Sequence, residues 1–310
     1  CVTAEDYKVF VKRFYPNTEA VSIFGGESGS FDPVLGVSSV QEFGKVFISI
    51  KSTTGNFIPQ IEKRRIVESL SPFTVASITP VIVDPETLFL ILDVSSTFNP
   101  NLTTLTSNDL ESVIVNSLTN FNNNNLKTFN SAFRHSQVTK LIDDSDTSLT
   151  SNVTKVVMGK FFTPLLDESV GYTISFNNSI YNPHSKHNSD QGGVVASTGF
   201  KVSGDATNEM FLDDDGNGYI RRFFILSGVK NYLDDKAGTV DYATGTIKLN
   251  PLTVTLVSNV DNTSSTQIRI TSIPDSVDII PVRNQLIEID LINTIVNVSI
   301  DGAAVGDITT

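Results

Sequence analysis

The chain has no tryptophan, one cysteine, two methionines and three histidines among its 310 residues. Each scarcity closes a route. A single cysteine cannot form an internal disulfide or a thiolate metal cage, so Cys1 is a free thiol, and the chain is not built for an oxidising compartment. His135, His184 and His187 are the entire supply of imidazole bases and ligands. With no tryptophan and seven tyrosines, the flat aromatic platforms that stack on sugars are scarce. Charge of one sign is also short: 22 Lys and Arg stand against 34 Asp and Glu, a formal net charge of -12. Binding to a phosphate backbone depends on clustered cations that release counterions, so no nucleic-acid partner is expected. The densest cationic stretch, Lys63 to Arg65, falls in an expected helix and reads as a solvated face. No apolar run reaches the ~18 residues needed to cross a bilayer, so no membrane partner is expected either.

What is present is a globular composition with 39% hydrophobic residues and 18% charged ones. The charged share is below the roughly 25% usual for soluble domains, and Ser, Thr and Asn fill the surface instead, as they do in β-rich modules. A chain of this length is expected to form two or three domains, each with its own core. Five Asn-x-Ser/Thr sequons begin at Asn101, Asn152, Asn177, Asn262 and Asn297. Without a signal peptide they read as a product of the Asn-rich composition. The chain opens with CVTAEDYKVF, not methionine, and runs straight into a helix start, so it is expected to be a piece of a longer polypeptide.

Thr3 and Asp6 have the spacing of a capping box, and Tyr7, Phe10, Val11 and Phe14 follow as one apolar stripe up to Pro16. Two strands are expected over Ala20 to Gly25 and Lys45 to Lys51. A helix follows from Pro59, with Ile61, Arg65 and Ile66 to Leu70, to a stop before Pro72. Thr74 to Val83 and Thr87 to Val94 complete the segment as strands around the turn Asp84-Pro85-Glu86. The order helix, strand, strand, repeated, predicts a small antiparallel sheet with both helices on one face, a ferredoxin-like α/β sandwich over residues 1–104.

Residues 105–165 read as a helical segment with a connecting strand. Ser107 and Asp109 open a helix bearing Leu110, Ile114, Leu118 and Phe121. Asn122 to Asn125 read as a linker, Phe129, Phe133, Val138 and Leu141 as a less regular helix, and Val153 to Phe162 as a strand. From Leu166 the helical period vanishes. Alternating runs such as YTISF, TQIRIT and IVNVSI predict an all-β sandwich or barrel over residues 166–310. The fold class is therefore α+β.

The sharpest local motif is Asp213-Asp214-Asp215-Gly216-Asn217-Gly218-Tyr219-Ile220, which has the D-x-D-x-N-G-x-I opening of a calcium loop. Counted from Asp213, position twelve is Phe224, so the bidentate carboxylate is missing. The flanks read as strands, and a tight hairpin in which Asp213, Asp215 and Asn217 serve the turn is expected instead. GGESGS, Gly25 to Ser30, lacks both the G-x-S-x-G spacing that would make Ser28 a nucleophile and the lysine of a phosphate loop. His184 and His187 stand three apart in a polar loop with no third or fourth ligand nearby, and His135 sits in an expected helix. The pairs Asp143-Asp144 and Asp234-Asp235 fall in turn-like contexts, and adjacent carboxylates do not converge on one substrate. No catalytic, cofactor-binding or metal-binding residue is assigned, and no enzyme activity or small-molecule substrate is expected.

The stretches TAEDYKVFVKRFYPNTEAVSIFGGE, GKVFISIK, SNVTKVVMGKFF and FLDDDGNGYIRRFFILSGVKNYLDDKAGTVDYATGTIKL, taken in order, resemble the inner-ring baseplate wedge proteins of contractile-tailed bacteriophages, within the broader group of baseplate J-like proteins. The likeness covers most of residues 1 to 255. It implies the C-terminal portion of a structural virion protein of the tail baseplate. Such a subunit dimerises, contacts other wedge or tail proteins and joins neighbouring wedges into a ring around the hub. The resemblance brings no catalytic residues with it. A carbohydrate-binding or adhesin-like β module is the alternative reading, and the shortage of exposed-platform aromatics weighs against it.

Overall fold

The computed structural model describes residues 1–26, 31–32, 36–37, 42–55, 58–182 and 193–305. The chain divides into two units. The first comprises residues 1–87, 128–131 and 280–287, and the second residues 88–127, 132–279 and 288–310.

The first unit opens with α1 (Ala4–Phe14). Its capping box forms as the sequence predicts: the Thr3 hydroxyl accepts from the Asp6 amide, and the Asp6 carboxylate accepts from the Thr3 and Val2 amides. These bonds hold the Asp6 carboxyl below its ordinary pKa. Next come β1 (Thr18–Gly25), β2 (Phe31–Asp32), β3 (Gly36–Val37), β4 (Lys45–Ser52), α2 (Gln60–Leu70) and β5 (Thr79–Val83). Tyr7 and Val11 of α1 and Ile66 and Leu70 of α2 pack with Ile48 and Ile50 of β4 and with Ile58. Since Ile48 and Ile50 project from one face of their strand, both helices lie on the same side of the sheet.

That sheet corrects the expectation of a four-stranded antiparallel, ferredoxin-like arrangement. It has three strands in the order β1-β4-β5, with β1 antiparallel and β5 parallel to β4. A parallel pair needs a crossover, and α2 is that crossover, so β4-α2-β5 is a βαβ unit. The strand expected to begin at Thr74 starts at Thr79. Its expected partner β6 (Glu86–Phe98) belongs to the second unit from Leu88 onward and pairs there with β7 (Leu149–Phe162) and β17 (Ile295–Ile300). On α2, Ile61 is 77% exposed, whereas Lys63 is buried together with Ile66 and Leu70. Lys63 therefore does not belong to a solvated face; its ammonium donates to Asp84 at 2.7 Å.

The second unit adds α3 (Ser107–Phe121), α4 (His135–Asp143), β7 (Leu149–Phe162), β8 (Ser169–Ser175), β9 (Val195–Ser197), β10 (Phe200–Val202), β11 (Asp205–Asp214), β12 (Tyr219–Leu226), β13 (Val229–Asp241), β14 (Thr246–Val257), β15 (Ile268–Ser272), β17 (Ile295–Ile300) and α5 (Gly302–Val305), and β16 (Gln285–Ile289) has its first three residues in the first unit and its last two in the second. The cap of α3 is Thr106, one residue before the expected Ser107, and it closes a capping box with Asp109. Leu110, Ile114 and Leu118 are buried as their spacing predicts. Asn122 to Leu126 is not a linker but a π-helical turn that prolongs α3; Asn122 is buried and accepts the Ile289 amide at 2.9 Å. Phe129 and Phe133 are buried but lie ahead of α4.

After residue 165, α5 is the one helix among the described residues. β10 to β14 form successive antiparallel pairs, and β10 pairs with both β11 and β14, so the five strands close into a barrel. Closure removes sheet edges. Phe200, Met210, Ile220, Ile247 and Val254 are fully buried there. The β12–β13 connection is a two-residue turn, Ser227 (φ 52°) and Gly228 (φ 81°), the paired positive φ angles of a type I′ hairpin. From the barrel the ladder continues β11-β9-β15-β7-β6, with β17 parallel to β6.

Candidate functional site

The calcium-like motif sits where β11 turns into β12. Asp213 and Asp214 are the last residues of β11, paired with Arg221 and Ile220 of β12, and residues 215–218 make the turn. Asp215 and Asn217 serve that turn as expected: Asp215 Oδ1 accepts the amides of Asn217 at 2.7 Å and Tyr219 at 3.0 Å. The positive φ angles belong to Gly216 (75°) and Gly218 (104°), not to Asn217.

Asp213 departs from the expectation. It is 2% exposed and lies within the ladder. Its Oδ1 accepts Arg221 Nε at 3.0 Å, and its Oδ2 accepts Lys230 Nζ at 2.7 Å and the Tyr232 hydroxyl at 2.9 Å. The Arg221 guanidinium also lies 4.3 Å from the Tyr232 ring centroid, and Lys230 Nζ lies 4.4 Å from that of Phe223. Asp214, fully buried, accepts the Tyr242 hydroxyl at 2.6 Å and the Val195 amide at 2.8 Å. The three carboxylates are thus engaged internally, two by cross-strand and neighbouring groups and one by its own turn, and none is left oriented toward an incoming cation. Burial, reinforced by the bond to Asp213, pushes the Tyr232 phenol up to about 12. Burial and the bond to Asp214 raise the Tyr242 phenol as well.

Gly193 explains its own residue type here. A Cβ at this position would overlap the Asp214 carboxylate, so the strand carrying Val195 can approach only because residue 193 lacks one. The sequence reading missed Arg221, Lys230, Tyr232 and Tyr242. Fixing the turn at residues 215–218 already places Asp213 opposite Arg221; Lys230 and Tyr232 come from β13, whose register against β12 shifts around Arg222, and Tyr242 from the turn after β13.

His135 is structural. Its Nε2–H donates to the Thr154 carbonyl at 2.8 Å, while its backbone amide and the Arg134 guanidinium donate to Asp278. The His135 amide, and then Arg134, hold the Asp278 carboxyl below its ordinary pKa. Asp143 and Asp144 end α4, where Asp144 pairs with Lys140 and Asp143 accepts from Asn152. Asp234 and Asp235 lie within β13, which corrects their expected turn. Ser28, His184 and His187 lie outside the described residues. An open groove of about 680 Å³ runs between the outer face of α3 and β17, lined by Asn108, Glu111, Val115, Thr294 and Val296. Among the described residues, no group of three or more His, Cys, Asp and Glu side chains is arranged to hold a metal ion.

The fold and this hairpin define a structural α+β module whose charged side chains brace one another. Two family models give it a family: the baseplate structural protein gp6, C-terminal domain I, matches residues 3–83, and C-terminal domain III of the same protein matches residues 86–160. The chain belongs to this family of phage baseplate structural proteins. It is similar to the baseplate wedge protein gp6 of Enterobacteria phage T4, with 28% identity over 159 residues. That stretch takes in 51% of this chain and 22% of the T4 protein.

Proposed function

We propose that the chain is the C-terminal portion of a baseplate wedge subunit, a structural virion component that dimerises, contacts other baseplate proteins and helps join wedges into a ring around the tail hub. The observation that carries this reading is the pair of gp6 domain matches, following one another over residues 3–160. Partners in this role are proteins. No helix among the described residues is long and apolar enough to cross a membrane, and the net charge of -12 opposes phosphate binding.

Exposed apolar surface supports a protein contact. On the β12–β13 hairpin, Ile225, Leu226, Val229 and Leu233 are each more than half exposed. Exposed aliphatic side chains gathered on one hairpin are a common mark of an interface. Light scattering of the chain at micromolar concentration tests the reading. A dimer that strengthens modestly with salt, as an apolar interface does once like charges are screened, is the expected result. A mass of 33.7 kDa at every salt concentration, with no binding to other baseplate proteins, overturns it.

A further inference from the structure

Asparagine is followed by glycine once in the chain, at Asn217–Gly218 in the β11–β12 turn. The pairing matters chemically: a Cβ on the following residue crowds the approach of its amide nitrogen to the asparagine side chain, and glycine has none. Gly218 also has a φ of 104°, in a region that other residues rarely enter. Asn217 is exposed, so water and hydroxide reach it.

The turn holds the residues around this pair and leaves the pair itself open. The Asp215 amide donates to the Tyr219 carbonyl at 3.0 Å, and the Val240 amide donates to the Gly218 carbonyl at 2.9 Å. Asp215 Oδ1 accepts the amides of Asn217 and Tyr219. The Gly218 amide, between those two, donates no hydrogen bond among the described residues. The Asn217 carboxamide donates from Nδ2 to the Asp215 carbonyl at 3.3 Å, a long bond against the usual range of about 2.7–3.2 Å. An unbonded amide nitrogen beside a lightly held carboxamide is the pair that imide formation needs.

We propose that Asn217–Gly218 is a self-modification site. Hydroxide takes the proton of the Gly218 amide, and the nitrogen attacks Asn217 Cγ. The bond from Cγ to Nδ2 then breaks; the leaving nitrogen takes a proton from water and departs as ammonia, which returns the hydroxide and leaves a five-membered imide. Water opens that ring in two ways. Attack at Cγ gives aspartate with the backbone intact, whereas attack at the main-chain carbonyl carbon gives isoaspartate, in which the chain runs through the side chain and gains one methylene. The net change is one water consumed and one ammonia released, with no oxidant, metal or second protein. Either product adds a negative charge beside Asp215. Isoaspartate does more, because it lengthens a turn pinned by Asp215, Tyr219 and Val240, and the two bonds to Asp215 Oδ1 cannot both be kept. The β11–β12 hairpin thus carries a slow, one-way chemical change set by time and pH.

The test is ageing of the folded full chain at neutral and at mildly alkaline pH, for the native protein, Asn217→Gln and Asn217→Asp. Peptide mass analysis, labelling by an isoaspartyl methyltransferase and melting temperature are the readouts. The peptide containing residue 217 is expected to gain the mass of an amide-to-acid exchange before any other asparagine-containing peptide does. Its rate should rise with hydroxide, and methyl label should appear at the same residue. Asn217→Gln, whose longer side chain would have to close a six-membered ring, should melt with the native chain and show neither change there. Freshly prepared Asn217→Asp keeps the backbone length and should also melt with the native chain, whereas the aged, isoaspartate-containing protein falls below both. An aged chain that contains isoaspartate and melts with the native protein refutes the loosening of the turn. Earlier modification of another asparagine, methyl label undiminished in Asn217→Gln, or conversion at residue 217 in denaturant but not in the folded chain overturns the site itself, since in the last case the turn withholds the Gly218 nitrogen.

Discussion

Tyr242 donates its hydroxyl hydrogen to Asp214 Oδ2 at 2.6 Å, with both residues buried. The other carboxylate oxygen accepts the Val195 amide. Asp214 thus ties the β11–β12 hairpin to the loop after β13 and to β9. Asp214→Ala would leave a buried phenol and a buried amide without acceptors, and at ~1–3 kcal/mol for each orphaned group the expected loss is about 2–6 kcal/mol. Tyr242→Phe removes one donor to a charged acceptor and should cost less, ~1.5–3 kcal/mol. Denaturant unfolding of both variants checks the ranking, and native stability in Asp214→Ala would refute the bracing role.

Alkali should reveal the same hairpin. The Tyr232 phenol is pushed up to about 12, chiefly by burial, and the Tyr242 phenol is raised by burial and Asp214. In the unfolded chain both ionise near ~10. Between these values the unfolded state binds fewer protons, so stability falls as pH rises. The contribution is therefore whole below pH ~10 and lost progressively toward about 12. Melting temperature should decline through that window, less steeply in Tyr242→Phe. Burial raises the Tyr7 phenol too, so phenolate absorbance should show three of the seven tyrosines, Tyr7, Tyr232 and Tyr242, ionising late. Free titration of all seven in the folded state would contradict this.

Millimolar calcium should leave the melting temperature unchanged and produce no binding heat. Asp213 is occupied by Arg221, Lys230 and Tyr232, Asp214 by Tyr242 and Val195, and Asp215 by its own turn. Asp215→Ala should destabilise by about 0.5–1.5 kcal/mol, the ordinary value of a lost hydrogen bond, to the same degree with and without calcium. A one-to-one isotherm abolished by Asp215→Ala would show that the carboxylates exchange partners for the ion.

The sequence revealed what neighbouring residues decide. The capping boxes of α1 and α3, the buried stripe Leu110, Ile114 and Leu118, and the alternation in β6 all depend on short spacings. Pairing was hidden. Nothing local shows that β4 and β5 run parallel, or that β6 ladders with β7 and β17, because sheet partners come from distant segments. The Asn122 tract misled for another reason: the residue type suggests solvent, but the π turn buries Asn122 against the Ile289 amide. Lys63 was legible in principle, since it precedes Ile66 and Leu70 by three and seven positions and so shares their face. Likewise, hairpin counting places Arg221 opposite Asp213, but the register shifts around Arg222 in the β12–β13 hairpin, which decide where Lys230 and Tyr232 fall, leave no mark in the sequence.

The Lys63–Asp84 pair allows the most discriminating test of this packing. The Lys63 side chain is 9% exposed and that of Asp84 35%, so the ammonium is the group that depends on its partner. Asp84→Ala would strand a buried cation, and breaking a buried pair from one side costs ~3–5 kcal/mol, reduced here toward ~2 kcal/mol because the Asp84 side is open to water. Lys63→Met keeps most of the aliphatic stem packed beside Ile66 and Leu70 while removing the charge, so it should cost no more than ~1 kcal/mol. The double variant should then recover most of the loss caused by Asp84→Ala, because no unpaired ammonium remains. Urea unfolding of the four proteins gives the cycle. If Asp84→Ala were as stable as the native chain, Lys63 would have to reach solvent in the folded state, contrary to its buried position on the inner face of α2.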